Sequence, residues 1–338
     1  MDIGDGDGSS VIFQTAANPM TEAEAAATEV IRCVGENALT IEDGRLTGIE
    51  FKELPYEDPS AASIWRVDSG CERLTALPEL SSLVALTTLE IHECGFLTAL
   101  PELSSLVALT TLRISGCDGL TALPELSSLV ALTTLKICGC KGLTALLELK
   151  SLVALTRLGI SSCEGLTALP ELSSLVALTR LEISRCDGLI ALPELSSLAA
   201  LTTLSIGNCK GLTALPVLSS LVALTTLEIH ECGFLTALPE LSSLAAPKTL
   251  SIGNCKGLAA LPELSSLAAF TTIHINSCSC LTALLELSSL PAFTTLQIGS
   301  CRDVTKPRLY YRYPVLKLQL PISSALPELS SLVALQTL

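Results

Sequence analysis

Eleven cysteines recur every 23 residues: Cys71, Cys94, Cys117, Cys140, Cys163, Cys186, Cys209, Cys232, Cys255, Cys278 and Cys301. Stacked coils would bring consecutive thiols near one another. Parallel side chains in a column rarely offer the dihedral geometry a disulfide needs. Single cysteines so widely spaced also lack the paired pattern of zinc sites, so neither a metal nor a cofactor is expected. Cys138, in Lys136-Ile137-Cys138, falls outside the column and reads as an accessible thiol.

The other reactive groups do not assemble into catalytic machinery. The three histidines are His92, His230 and His274. The first two lie six repeats apart, about 30 Å at a strand spacing of roughly 4.8 Å, and cannot share a site. Each is expected as a surface contact residue. Glutamates recur in Leu-Pro-Glu-Leu at Glu79, Glu102, Glu125, Glu148, Glu171, Glu194, Glu240, Glu263, Glu286 and Glu328. Like charges about 5 Å apart repel by roughly 0.8 kcal/mol in water, which suits a solvated edge better than a cation stripe. Asp2, Asp5 and Asp7 have no closing acidic residue at calcium-loop distance. No enzymatic activity is expected.

Composition narrows the partners. Net charge is −14, with 20 Lys and Arg against 34 Asp and Glu, which argues against a nucleic-acid partner. Apolar residues make up 49% and mean hydropathy is +0.56. No apolar run reaches the roughly 18 to 20 residues that span a bilayer, so no membrane is expected. The N-terminus has neither a basic nor an apolar leader region, which points to a cytoplasmic, reducing compartment with free thiols.

The element that must position these groups is the 23-residue unit itself, a period diagnostic of a solenoid. In Leu86-Thr87-Thr88-Leu89-Glu90-Ile91-His92-Glu93-Cys94 the two-residue alternation of a strand sends Leu89 and Ile91 inward and Thr88, Glu90 and His92 outward. In the following Leu97-Thr98-Ala99-Leu100-Pro101-Glu102-Leu103-Ser104-Ser105-Leu106 the leucines fall every three residues, the spacing of short 3₁₀ or α turns. Stacked coils would place parallel strands on one side and tight turns on the other.

The pattern Leu86, Leu89, Ile91, Cys94, Leu97 resembles the L-x-x-L-x-L-x-x-N/C-x-L segment of leucine-rich repeat proteins, over about residues 40 to 301 and again 326 to 338. The subtype is similar to repeats of plant intracellular immune receptors and of moss, algal and bacterial arrays, although no P-loop motif is present. The resemblance implies an α/β repeat solenoid, a curved horseshoe with its parallel sheet on the concave face. It implies a structural role for Cys94, Cys117, Cys140, Cys163, Cys186, Cys209, Cys232, Cys255 and Cys278, each buried at a strand end and bonding backbone of the adjoining loop.

Five regions follow. Residues 1–20 read as a disordered acidic tail. Residues 21–70 read as a capping helix beginning at Thr21, a hairpin around Asp43-Gly44 and an irregular first coil. The hairpin's second run, Leu46-x-x-Ile49-x-Phe51, already shows the repeat's strand pattern, and Trp65 and Val67 sit one place early, a one-residue slip. Regular repeats occupy 71–301. An insertion at 302–325 gathers Arg308, Tyr310, Tyr311, Arg312 and Tyr313, either a contact loop or a coil wrapping the end of the array. Residues 326–338 resume the repeat as an incomplete coil whose bare edge could make end-to-end contacts.

Comparison among the copies separates framework from face. The turn half barely changes, whereas the outward strand positions vary, as expected of a partner-specific surface. The contact residues expected on that face are Glu90, His92, Arg113, Lys136, Cys138, Arg157, Arg180, Glu182, Glu228, His230 and His274. Arg113, Lys136, Arg157 and Arg180 fall on consecutive coils with Glu182 beside the last, a basic patch suited to an acidic segment of a protein or peptide. Two other readings are the sensing part of an immune-type receptor and an ice-binding solenoid. The latter rests on the column Thr88, Thr111, Thr134, Thr203, Thr226, Thr249, Thr272 and Thr295, which Arg157 and Arg180 interrupt.

Overall fold

A computed structural model describes most of residues 75–280, without 78, 82, 242–243, 245–246 and 262–269, together with the backbone of several flanking strands. The expected acidic tail, the capping helix from Thr21, the aromatic residues of the insertion and the final incomplete coil lie outside the described residues. Fourteen strands are described. They are β1 (Leu39–Glu42), β2 (Arg45–Ile49), β3 (Ile64–Val67), β4 (Thr88–His92), β5 (Thr111–Ser115), β6 (Thr134–Cys138), β7 (Arg157–Ser161), β8 (Arg180–Ser184), β9 (Thr203–Gly207), β10 (Thr226–His230), β11 (Thr249–Gly253), β12 (Thr272–Asn276), β13 (Thr295–Gly299) and β14 (Leu316–Gln319).

Strands β3 to β14 form one twelve-stranded sheet in chain order. From β4 to β13 each residue pairs with the one 23 positions onward in a parallel ladder, as Leu89 with Leu112 and Ile91 with Ile114. The repeat length therefore sets the register directly. Two flanks depart from it. Trp65 pairs with Leu89 and Val67 with Ile91, a 24-residue offset that places the slip expected before Cys71. At the other flank β14 runs antiparallel to β13 and pairs through Leu318 with Leu296.

The hairpin expected around Asp43-Gly44 is present: β1 and β2 pair as a separate two-stranded antiparallel sheet, with Glu42 opposite Arg45. The run Leu46 to Ile49 therefore stays outside the array although it carries the repeat's strand pattern. The two-residue Asp43-Gly44 connection makes that local closure entropically cheap compared with pairing across the longer link to β3.

The core is a stack of near-identical layers. Leu86, Leu89, Ile91, Cys94, Leu97, Leu103, Leu106 and Leu109 are each fully buried, and their counterparts repeat through the later coils. On the turn side Leu106 N donates to Leu103 O and Leu109 N to Leu106 O, both at 3.0 Å. These are single 3₁₀-type turns, and no helix occurs among the described residues. Leucines three apart all face inward because a 3₁₀ turn has three residues.

Two columns lock coil to coil. The threonine before a strand donates to its predecessor, Thr110 Oγ1 to Thr87 O at 3.0 Å and Thr133 Oγ1 to Thr110 O at 3.0 Å, while the same carbonyls accept backbone N–H groups; before β11 Lys248 takes the threonine's place. In the cysteine column each thiol donates back to its own strand end, Cys94 Sγ to His92 O at 3.4 Å and Cys163 Sγ to Ser161 O at 3.4 Å. That partner differs from the adjoining loop implied by resemblance. The residue between strand and cysteine has positive φ, 54° at Glu93 and 53° at Arg185, and this left-handed step turns the thiol back beneath the strand.

Candidate binding face

The outward side chains form three rows across the sheet, one from each odd position of the five-residue strands. The first row carries Thr88, Thr111, Thr134, Arg157, Arg180 and Thr203. The third runs Glu90, Arg113, Lys136, Gly159, Glu182, Ser205, Glu228, Ser251 and His274. The fifth contains His92, Ser115, Cys138, Ser161, Ser184, Gly207, His230, Gly253 and Asn276 through the same ladders. All eleven contact residues expected from sequence therefore share this face, and Cys138 is an exposed free thiol.

Sharing a face is not the same as being available. Glu90 lies on the outward row but is only 4% exposed, beneath Arg113, whose Nη1 donates to Glu90 Oε1 at 3.0 Å. His92 Nε2 lies 3.8 Å from the other carboxylate oxygen. Glu90 is thus withdrawn from the contact surface expected of it and engaged by its neighbours on β4 and β5. Arg113 is partly committed by the same pair.

The basic residues of the next coils are arranged differently. Arg180 Nε donates to Glu182 Oε1 at 2.7 Å and its Nη2 contacts the same oxygen, which raises the guanidinium above its already high ordinary pKa. Among the described residues Lys136 and Arg157 have no ion-pair partner. Lys136, Arg157, Leu158, Gly159, Arg180 and Glu182 together line a depression of about 220 Å³. Three cations against one carboxylate give this site a formal charge of +2, on a chain whose total is −14.

A second depression, of about 280 Å³, lies at the loop end of β10 to β12 among His230, Glu231, Gly253, Asn254, Asn276 and Ser277. It contains no Lys or Arg. His92 and His230 are six strands apart, as their spacing implied, and His274 lies in a different row from both. Away from the sheet, Lys141–Asp118 at 3.1 Å and Lys210–Asp187 at 2.7 Å tie successive loops together. The described Leu-Pro-Glu-Leu glutamates are exposed, and Glu148 pairs with Lys150.

The buried thiols of Cys94 and Cys232 are held in the protonated form. Burial pushes Cys232 up to about 11, and the hydrogen bond shared with Cys117, followed by burial, raises Cys94. Among the described residues no cluster of three His, Cys, Asp or Glu could hold a metal ion, and no helix is long and apolar enough to cross a membrane.

Sequence reasoning missed two features. The threonines before the strands serve coil stacking, whereas attention fell on the outward threonines one residue later. Glu182 was placed beside Arg180 from their i, i+2 spacing, but not the ion pair that commits Arg180 to it. Gly159 is the one glycine in the described third row and forms part of the depression.

A parallel sheet of in-register 23-residue coils, tight turns opposite it and an interior of leucine and isoleucine define a leucine-rich repeat solenoid. Similar solved structures include the leucine-rich repeat domain of the type III effector XopL, at 23% identity over 83% of this chain and 96% of that one, with a TM-score of 0.49. YopM from Yersinia pestis is similar at 22% identity over 70% of this chain and 78% of its own, TM-score 0.37. A leucine-rich repeat protein of Leptospira interrogans is similar at 19% identity over 75% and 83%, TM-score 0.35. At these identities the likeness is one of fold alone. No family model matches the chain, and no curated protein matches it.

Proposed function

We propose that the protein is a non-catalytic scaffold whose sheet face binds a protein or peptide, with the β5–β8 region receiving an acidic segment. The observation that carries this reading is the pair of unpaired cations, Lys136 and Arg157, beside a depression on an otherwise acidic molecule. Such charge complementarity selects partners and speeds their encounter, and it weakens as salt screens it. Replacing both Arg157 and Arg180 by Glu should reduce affinity for a recovered partner by at least about tenfold, the order expected for close charge pairs across an interface. Lys150→Glu on the turn side should leave affinity unchanged. Equal binding by the Arg157→Glu/Arg180→Glu protein would sink the assignment.

A cytoplasmic compartment is proposed on the N-terminal sequence, which has neither a basic nor an apolar leader region. Recovery of the native protein in a secreted fraction would argue against it. A ligand-sensing role in an immune-type receptor would use this same face.

A further inference from the structure

Gly159 occupies a strand position that gives the fold no reason for glycine. Its φ is not in the left-handed region, and a Cβ built there would meet Lys136 Cγ at 3.5 Å, Glu182 Oε2 at 3.8 Å and Lys136 Cδ at 4.0 Å, all ordinary contacts. Gly207 on β9 is similarly open, a Cβ there meeting Ser184 Cβ at 3.7 Å and His230 O at 4.0 Å but no cation; two other glycines are crowded. A Cβ on Gly142 would stand 2.5 Å from Asp118 O, and one on Gly253 would stand 2.6 Å from His230 Nδ1. Glycine inside a strand forfeits packing and β-propensity, and its usual reason is close approach of another group. At Gly159 the neighbouring coils leave that space open, with Leu158 also lining it.

We propose that the depression at Gly159 seats one phosphoryl group carried on a side chain of an extended peptide, with Lys136 and Arg157 as its counter-charges. The proposal rests on the sheet-face reading above and gives that partner a chemical class. The site's formal charge of +2 matches a phosphorylated side chain, which carries about −1.5 to −2 at neutral pH. A single carboxylate would leave one of the two unpaired cations uncompensated. Glu182 holds Arg180 through Nε and Nη2, which fixes the guanidinium at the rim and leaves its remaining donors for the phosphoryl oxygens.

The test uses the full chain and three synthetic peptides of small neutral residues, identical except for a central phosphoserine, glutamate or serine. Binding is followed by the NMR amide signals of Leu158 and Ile160, which flank position 159 in every variant and read affinities down to the millimolar range. The phosphoserine peptide is expected to bind at least about tenfold more tightly than the glutamate peptide, and the serine peptide not at all, because doubly charged groups engage both cations. Gly159→Val should weaken the phosphoserine peptide by at least about tenfold with no fall in melting temperature, since its Cβ has room. Lys136→Gln should weaken it without filling the site. Equal binding of the phosphoserine and glutamate peptides, or unimpaired binding by folded Gly159→Val, overturns the phosphoryl seat. If the phosphoserine peptide fails while a recovered partner still depends on Arg157 and Arg180, the seat is wrong and the sheet-face reading stands. If that partner ignores both arginines, the sheet-face reading itself falls.

Discussion

Residues 89–106 and 227–244 are identical in sequence, six coils apart, yet their polar groups have different surroundings. Glu90 is buried beneath Arg113, with His92 close to its carboxylate. Its twin Glu228 is half-exposed and accepts a hydrogen bond from Ser205 Oγ at 3.1 Å. His92 turns toward Glu90, whereas His230 leans over Gly253, the small residue on the next strand. Their apolar halves remain the same: Leu89 and Leu227, Ile91 and Ile229, Cys94 and Cys232 are all fully buried. In this array a coil's sequence defines its layer of core, while the adjacent coils decide what its outward residues can do.

The twin stretches provide a graded set of tests. Leu89→Ala and Leu227→Ala should each cost about 2 to 5 kcal/mol in urea unfolding, the usual range for a buried leucine. The two costs should agree within about 1 kcal/mol, and a larger gap would show that the layers are not equivalent.

Alkaline pH comes next. Cys232 is raised from its ordinary 9.0 to about 11, and Cys94 is also raised. An acid whose folded pKa lies above its unfolded one contributes full stability below the unfolded value and loses it as pH rises to the folded value. Unfolding free energy should therefore fall between about pH 9 and 11, by roughly 2 to 3 kcal/mol for Cys232 at 1.36 kcal/mol per pH unit. Cys232→Ala should flatten that dependence.

Smaller effects separate the twins. Glu90→Gln should cost about 1 to 2 kcal/mol, since Arg113 loses a charged partner but is itself nearly half exposed and screened. Glu228→Gln should change stability by no more than about 0.5 kcal/mol, as surface substitutions do. Equal melting shifts would remove the distinction. Gly253→Ala should change stability by less than about 1 kcal/mol, because the imbalance falls on a side chain that can swing away. It should nevertheless move the NMR resonances of His230 while leaving those of His92 in place.

Much of this architecture was legible in the chain. A constant interval of 23 residues between cysteines dictates the in-register pairing of Arg157 with Arg180 and of Arg113 with Lys136. Alternation within each strand separated Leu89 and Ile91 from the outward residues. The slip at Trp65 was visible because two apolar residues stood one place early. The β1–β2 hairpin was visible in Asp43-Gly44, but not that it would stand apart from the array, since Leu46-x-x-Ile49 satisfies the repeat pattern and the choice between two sheets depends on closure distance. Glu90 was misjudged for a related reason: alternation gives the direction of a side chain, while its exposure depends on the residue beside it in the neighbouring coil, here Arg113.

The sequence by itself determined the coil, its inward residues, the order and register of the strands and the identity of the face that varies. Burial of apolar groups is nondirectional and follows the period, so a periodic pattern suffices to specify it. Only the tertiary structure decided which charges are spent within the molecule and which remain available. Arg113 closes on Glu90 and Arg180 on Glu182, while Lys136 and Arg157 stay unpaired beside the space at Gly159. Ion pairs form over a few ångströms with defined geometry. Their outcome therefore depends on how neighbouring coils hold their side chains.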